Sequence, residues 1–191
     1  MSIRKETEQF VNTRVSTLLH KQLLDQRKIY LWGAVEDSTA KELVEQMVYL
    51  SSLSNAPIHF YINSPGGIVT SGYAVYDTML HVEAPVYTYC MGFAASMGSI
   101  LLSGGEKGHR YIFPRAEVMI HQPSMGGFQG NYADIQIHAQ QIMKTKDIAA
   151  QILADNCSQT VDKIKKDFDR DYWMDANEAI AYGIVDKLMA A

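Results

Sequence analysis

Apolar residues at Phe10, Val11, Val15, Leu18, Leu19 and Leu23 return at steps of three and four, which places them along one stripe of an amphipathic helix. Residues 28–35 are rich in β-branched and aromatic side chains and read as a strand. Ser38 then offers a cap to a helix whose apolar face is Ala40, Leu43, Val44, Met47 and Val48. The alternation repeats. A short apolar strand over 58–62 is closed by Asn63-Ser64-Pro65-Gly66-Gly67, a helix follows over 71–80, and another strand covers 86–91. A helix over 96–102 ends at Gly104-Gly105, and strands are predicted at 110–113 and 118–121. Residues 131–156 carry the longest helical pattern, unbroken by proline or glycine. A last helix opens at Asp175-Ala176-Asn177-Glu178, an acidic relative of the capping box, and stops at Gly183.

Repeated β-α-β units joined by short connections predict an α/β fold with a mostly parallel sheet and right-handed crossovers. Within 191 residues, 47% of them apolar, one domain is expected, with about 70% of the unfolded surface buried. Its expected parts are an N-terminal segment and helix (1–26), a sheet-bearing head (27–128 and 167–191) and a helical excursion (129–166) that leaves a sheet already complete. The net charge of −4 comes without a lysine and arginine cluster, which argues against nucleic acid as a partner. Two cysteines, Cys90 and Cys157, are too few for a disulfide framework, and the first ten residues mix charged with polar groups. A reducing, cytoplasmic setting is expected. The uncharged run 84–105 is long enough to cross a bilayer, but it holds Thr88, Ser96, Ser99, Ser103 and four glycines. That polarity suits a buried strand, a tight turn and a core helix, so no membrane span is expected.

Ser96 lies in Ala94-Ala95-Ser96-Met97-Gly98, where a buried strand is predicted to turn into a helix. Small residues permit a sharp turn that lifts the hydroxyl out of the packed layer, and the new helix aims unpaired N–H groups at the same point. Such a place suits a nucleophile, but Ala-x-Ser-x-Gly is a weak motif, and taken alone it favours a plain helix cap. Gly66-Gly67 follows another strand end, either as an ordinary Pro-Gly turn or as a source of outward N–H groups; Gly67 N–H can join Met97 N–H around a developing oxyanion. A serine nucleophile needs a base. His20 and His138 fall in amphipathic helices, His59 inside a strand, His81 near a helix end, and His109 in a turn expected to be exposed. His121 alone closes an apolar strand, ahead of Gln122-Pro123, at the sheet edge where parallel-sheet sites gather. It is the preferred base. No carboxylate is singled out as its orienting acid; Asp169-Arg170-Asp171 is the densest candidate and also reads as a solvated charge run with local pairing. Neither a metal-ligand spacing nor a P-loop or Gly-x-Gly-x-x-Gly motif occurs, so no metal and no cofactor are expected.

Taken together, residues 61–67 (Tyr-Ile-Asn-Ser-Pro-Gly-Gly), 92–98 (Gly-Phe-Ala-Ala-Ser-Met-Gly), 119–123 (Met-Ile-His-Gln-Pro) and Asp169-Arg170-Asp171 closely resemble the proteolytic subunits of the Clp protease family, serine endopeptidases. The likeness runs from about residue 27 to the C-terminus and includes the ending 178–186. It implies Ser96 as nucleophile, His121 as general base, Asp171 as the orienting acid, and the N–H groups of Gly67 and Met97 as oxyanion hole. It implies inter-ring contacts at Asp169 and Arg170. Substrate would lie beside Ile68 and Val69 on one side and 124–127, with Met125, on the other. The implied fold is crotonase-like, with 131–156 in a handle joining two stacked heptameric rings. An ATP-driven AAA+ unfoldase of the Clp type would feed unfolded protein into the chamber, and this subunit itself would need no cofactor. Three stretches depart from the family pattern. Residues 10–19 lack its usual N-terminal motifs, Gln-Pro-Ser-Met-Gly-Gly after His121 is one residue longer, and His59 and His81 stand where aromatic or apolar residues flank the unfoldase-docking pocket, while Tyr61 is retained. The first and last of these departures motivate an alternative, a mainly structural or partner-dependent ring subunit that assembles with a more active paralogue. A crotonase-type acyl-CoA enzyme is a third reading, one that needs no Ser-His-Asp set.

Overall fold

The computed structural model describes residues 15, 17–124 and 130–190; within them the alternation of strand and helix follows the predicted order through the long helix ending at Cys157, whereas the helix Val161–Asp167 and the strands Tyr172–Met174 and Lys187–Leu188 are not anticipated by the sequence pattern. The described part of the N-terminal helix, α1, covers 17–25 and leads into β1 (Lys28–Trp32), α2 (Asp37–Leu53), β2 (Ile58–Ser64), α3 (Val69–His81) and β3 (Val86–Ala95). Then follow α4 (Met97–Ser103), β4 (Arg110–Ile112), β5 (Glu117–Ile120), α5 (Tyr132–Cys157), α6 (Val161–Asp167), β6 (Tyr172–Met174), α7 (Ala176–Tyr182) and β7 (Lys187–Leu188). The order across the sheet is β1-β2-β3-β4-β7, all parallel, with β5 beside the far end of β3 and β6 antiparallel to β5.

Buried and half-buried residues alternate along β2, so only one face of the sheet carries core. On that face Ile58, Phe60 and Ile62 meet Leu43 and Met47 of α2, Val75 and Met79 of α3, and Leu101 and Leu102 of α4 in one apolar cluster. The opposite face bears a row of stacked rings set by the in-register ladder. Tyr30, Tyr61, Tyr89 and Tyr111 lie 5.0, 4.5 and 4.9 Å apart in sequence. His109, expected to be exposed in its turn, is half-buried and stacks on Tyr87 at 4.0 Å. His59 donates to or accepts from the Tyr89 hydroxyl at 2.8 Å, and burial, reinforced by Lys28 and Arg27, holds its imidazole below the ordinary histidine value.

Three of the differences from the sequence reading have a clear physical reason. β3 does not stop at Met91 but continues to Ala95 through Gly92, whose φ of +70° bends the strand; a Cβ there would sit 2.8 Å from Asn63 Oδ1. The cap of α2 is Glu36, whose extended backbone allows a reciprocal box with Thr39, and not Ser38. The sheet is not complete before the helical excursion, because β6 and β7 join it only after α5 and α6. At 26 residues α5 is about 39 Å long. Only its last third, from Ala149 to Cys157, enters the core; Tyr132, Ile137 and Met143 stand exposed before it.

A buried ion pair fastens the late strand. The Arg110 guanidinium, from a side chain only 5% exposed, donates to Asp186 Oδ1 at 2.5 Å and Oδ2 at 2.9 Å, and also to the carbonyls of Ser103 and Asn156. Asp186 accepts two backbone N–H groups as well, from Gly108 and Arg110. Cys90 and Cys157 are free and buried, and burial pushes both thiols up to about 12. Burial alone would raise the Asp186 carboxyl, but the Arg110 and Gly108 hydrogen bonds outweigh it and hold the group below the usual carboxylate value. Asp186→Ala leaves the guanidinium buried without its carboxylate and is expected to lower stability by about 3–5 kcal/mol in urea titrations. Because the folded value is depressed, the stabilisation is present above the unfolded carboxylate value of about 3.9 and is lost as pH falls through it toward the folded one. Asp186→Asn is therefore expected to show a shallower loss of stability than the parent between about pH 5 and 3.

Candidate active site

Ser96 joins β3 to α4 with φ 54° and ψ −122°, a region that residues with a Cβ rarely enter. Its surroundings hold it there. Ser96 N–H donates to Met119 O on β5 at 2.9 Å, while Ser96 O accepts the N–H of Ser99 and Ile100 and the Ser99 hydroxyl. Gly66 closes the turn from the other side. A Cβ on Gly66, whose φ is +88°, would lie 2.6 Å from Ser96 Cβ and 2.8 Å from both Ala95 O and Met97 N. This backbone also separates the two readings of Ser96, since an N-cap uses an extended conformation to turn its oxygen onto the helix. Ser96 makes no side-chain cap, and its Oγ lies instead 2.8 Å from His121 Nε2.

His121 follows the last residue of β5, and the antiparallel register pairs Ile120 with Tyr172 on β6. One step further along that register stand His121 and Asp171, with Nδ1 and Oδ1 3.0 Å apart. A carboxylate only accepts, so Nδ1 carries the proton; Nε2 is then the acceptor for the Ser96 hydroxyl. The imidazole is 27% exposed and Asp171 61% exposed, so the carboxylate lies on the open side of the site. Of Asp169-Arg170-Asp171, only the last meets His121. Arg170 is exposed and folds back on Asp169, donating to its carbonyl at 2.9 Å with 3.6 Å to its carboxylate.

The loop 64–67 rests against the start of α4. Gly67 bridges to Val35, with Val35 N–H on Gly66 O at 2.9 Å and Ile68 N–H on Val35 O at 2.8 Å. The N–H groups of Gly67 and Met97 donate to no group among the described residues. Ile68 is exposed and caps α3, its N–H spent on Val35 and its carbonyl on Gly72; Val69 is half-buried against the core. Met125 lies outside the described residues. The other histidines are elsewhere: His59 and His109 belong to the aromatic face, His20 approaches Glu42 and Gln46, and His81 ends α3.

The model of one protein family, described as Clp protease, matches residues 11–191. The chain belongs to the Clp protease family. The α/β fold, with its mostly parallel sheet and seven helices among the described residues, agrees with that membership, and the family's activity is that of a serine peptidase. Among the described residues no group of three or more histidine, cysteine, aspartate or glutamate side chains is placed to hold a metal ion. No described helix is long and apolar enough to cross a membrane.

In this member of the Clp protease family, Gln122 and Lys146 adjoin the candidate site, and the sequence reading did not single them out. Gln122 Nε2 donates to Asp169 O at 2.9 Å and to its Oδ1 at 3.2 Å, and Lys146 Nζ donates to Gln122 Oε1 at 2.7 Å. The one available signal was the place of Gln122 directly after His121. For the turn itself, Gly66→Ala is expected to cost about 2–5 kcal/mol from strain and overpacking together. A lowered urea midpoint, with a crystal structure showing Ser96 Oγ moved away from His121, checks it.

Proposed function

We propose that Ser96, His121 and Asp171 are the catalytic triad of an endopeptidase that cuts unfolded polypeptides through an acyl-enzyme. The observation that carries this reading is the release of Ser96 Oγ from any capping role into a hydrogen-bonded chain of 2.8 and 3.0 Å. His121 takes the Ser96 proton as Oγ attacks the peptide carbonyl. The N–H groups of Gly67 and Met97 receive the oxyanion, and His121 returns the proton to the departing amine. Water, deprotonated by the same imidazole, then releases the acyl group and restores Ser96. Asp171 orients the ring and supports its charged form.

Unfolded substrate runs extended between the Ile68–Val69 side and the segment holding Met125. Since Ile68 spends its own N–H on Val35, the backbone pairing with substrate starts at Val69. The assembly we infer is two stacked heptameric rings, with 27–128 and 167–191 as head, 129–166 as handle, and Asp169 and Arg170 in contacts between rings. Exposed apolar residues at Val15, on α1 (Leu18, Leu19) and on α5 (Tyr132, Ile137, Met143) support burial against other copies. A Clp-type AAA+ unfoldase supplies substrate and spends the ATP, in the cytoplasm, as part of protein quality control; this subunit uses no cofactor.

Ser96→Ala and His121→Ala are each expected to lower kcat for a fluorogenic peptide by about 10⁴-fold or more, and Ser96→Ala to abolish fluorophosphonate labelling. Asp171→Asn, at an exposed position, is expected to lose less, about 10- to 10³-fold. A wild-type assembly that is never acylated at Ser96, with an unfoldase present, sinks the reading. Native mass spectrometry of the chain alone is expected to give a tetradecamer. A chain that becomes active only when mixed with a paralogue would favour the structural-subunit alternative.

A further inference from the structure

Asp171 has one hydrogen bond among the described residues, to His121, and most of its surface is open to solvent. An orienting carboxylate with no second donor must take its position from its backbone. On one side that backbone is fixed by β6, which is only three residues long. On the other it emerges from the turn 168–170, and the contacts holding this turn come from outside β6.

Phe168 anchors the turn in the core, fully buried, and its carbonyl accepts Gln122 N–H at 2.6 Å. The Gln122 carboxamide then grips the next residue, donating to the Asp169 carbonyl and carboxylate. Its orientation is set by its partners, because a lysine ammonium only donates and a carbonyl only accepts. Lys146 on α5 supplies that ammonium to Gln122 Oε1 at 2.7 Å. It also lies 4.0 Å from Asp169 Oδ1 and 5.7 Å from the Phe168 ring centroid. The Lys146 side chain is 30% exposed, so these are partly desolvated, charge-assisted contacts. Gln122 and Asp169 sit one residue from His121 and two from Asp171, so this clamp spans both members of the base-acid pair.

We propose that Lys146 is a positioning residue, which acts through Gln122 and the Asp169 turn to hold Asp171 opposite His121. It touches no reacting atom. Its effect is on the fraction of time in which the His121–Asp171 contact is formed, and therefore on the chemical step more than on substrate binding. The kinetic part of the proposal rests on the peptidase reading above; the structural part does not.

The test uses the assembled full-length protein with Lys146→Met, which keeps the aliphatic stem over Phe168 while removing the ammonium, and Lys146→Arg, which restores a donor. For a fluorogenic peptide, Lys146→Met is expected to lower kcat between about 10- and 100-fold and to slow fluorophosphonate acylation in parallel, with KM changed less than about twofold. Lys146→Arg is expected to recover most of that loss. Gln122→Glu, which keeps an acceptor for Lys146 but sets a carboxylate against the Asp169 oxygens, is expected to be at least as damaging as Lys146→Met. Crystal structures supply a readout that needs no activity: in Lys146→Met the turn 168–170 should shift and the His121–Asp171 separation exceed hydrogen-bonding reach. Unchanged kcat with the contact kept overturns the proposal, and so does a loss of activity explained wholly by dissociated rings whose His121–Asp171 distance stays near that of the parent. A wild type that hydrolyses nothing, while the variant still loses the contact, would refute the peptidase reading and leave the clamp standing.

Discussion

Beyond Gly92, β3 leaves β4 and takes β5 as its neighbour, and the three pairs Phe93–Glu117, Ala94–Val118 and Ala95–Met119 decide where everything chemical lies. Ser96 is the next residue on one strand and His121 follows directly on the other. The Ser96 N–H bond to Met119 O extends the same ladder by one rung. β5 then recruits β6 on its free edge, and through β6 the carboxylate. Three side chains from positions 25 and 50 residues apart thus meet because one strand changes partners at a single glycine. A one-residue slip along β3 and β5 would turn Ser96 and His121 toward opposite faces of the sheet.

The serine turn stores strain, of order 1–3 kcal/mol for a residue outside glycine in this conformation. The enclosing structure offsets it with a hydrogen bond to β5, three acceptor contacts at the Ser96 carbonyl and a glycine where any side chain would collide. What results is a hydroxyl denied its local partner. In an ordinary helix start the oxygen would satisfy the first turn's own N–H groups. Here those groups stay open at Met97 while the oxygen faces an imidazole, so donor and nucleophile are separated by the same twist.

Much of this was legible before any coordinates. The 3.6-residue pattern located α5 to within a residue at each end, and the small residues around Ser96 located the turn. His121 stood out by closing an apolar strand. The acid did not, because its role depends on the register of β6, three residues with no pattern of their own that pair across the chain with β5. The end of β3 was missed because a glycine in a strand reads as a stop, although here it is a bend. Local sequence also could not separate nucleophile from cap at Ser96; both use the same position, and only the backbone twist distinguishes them. The Lys146–Gln122–Asp169 contacts are long-range polar pairings, and no periodicity announces such pairs.

Cys90 and Cys157 are the only thiols of the chain, and each is enclosed in apolar packing that keeps it in the unreactive protonated form. To an alkylating reagent the native protein therefore presents a blank background. A cysteine introduced at a solvated site such as Lys41, on the outer side of α2, becomes the one position that a maleimide dye can find. Fluorescence attached there can follow subunit exchange or approach of a partner in real time, without first engineering the natural cysteines away.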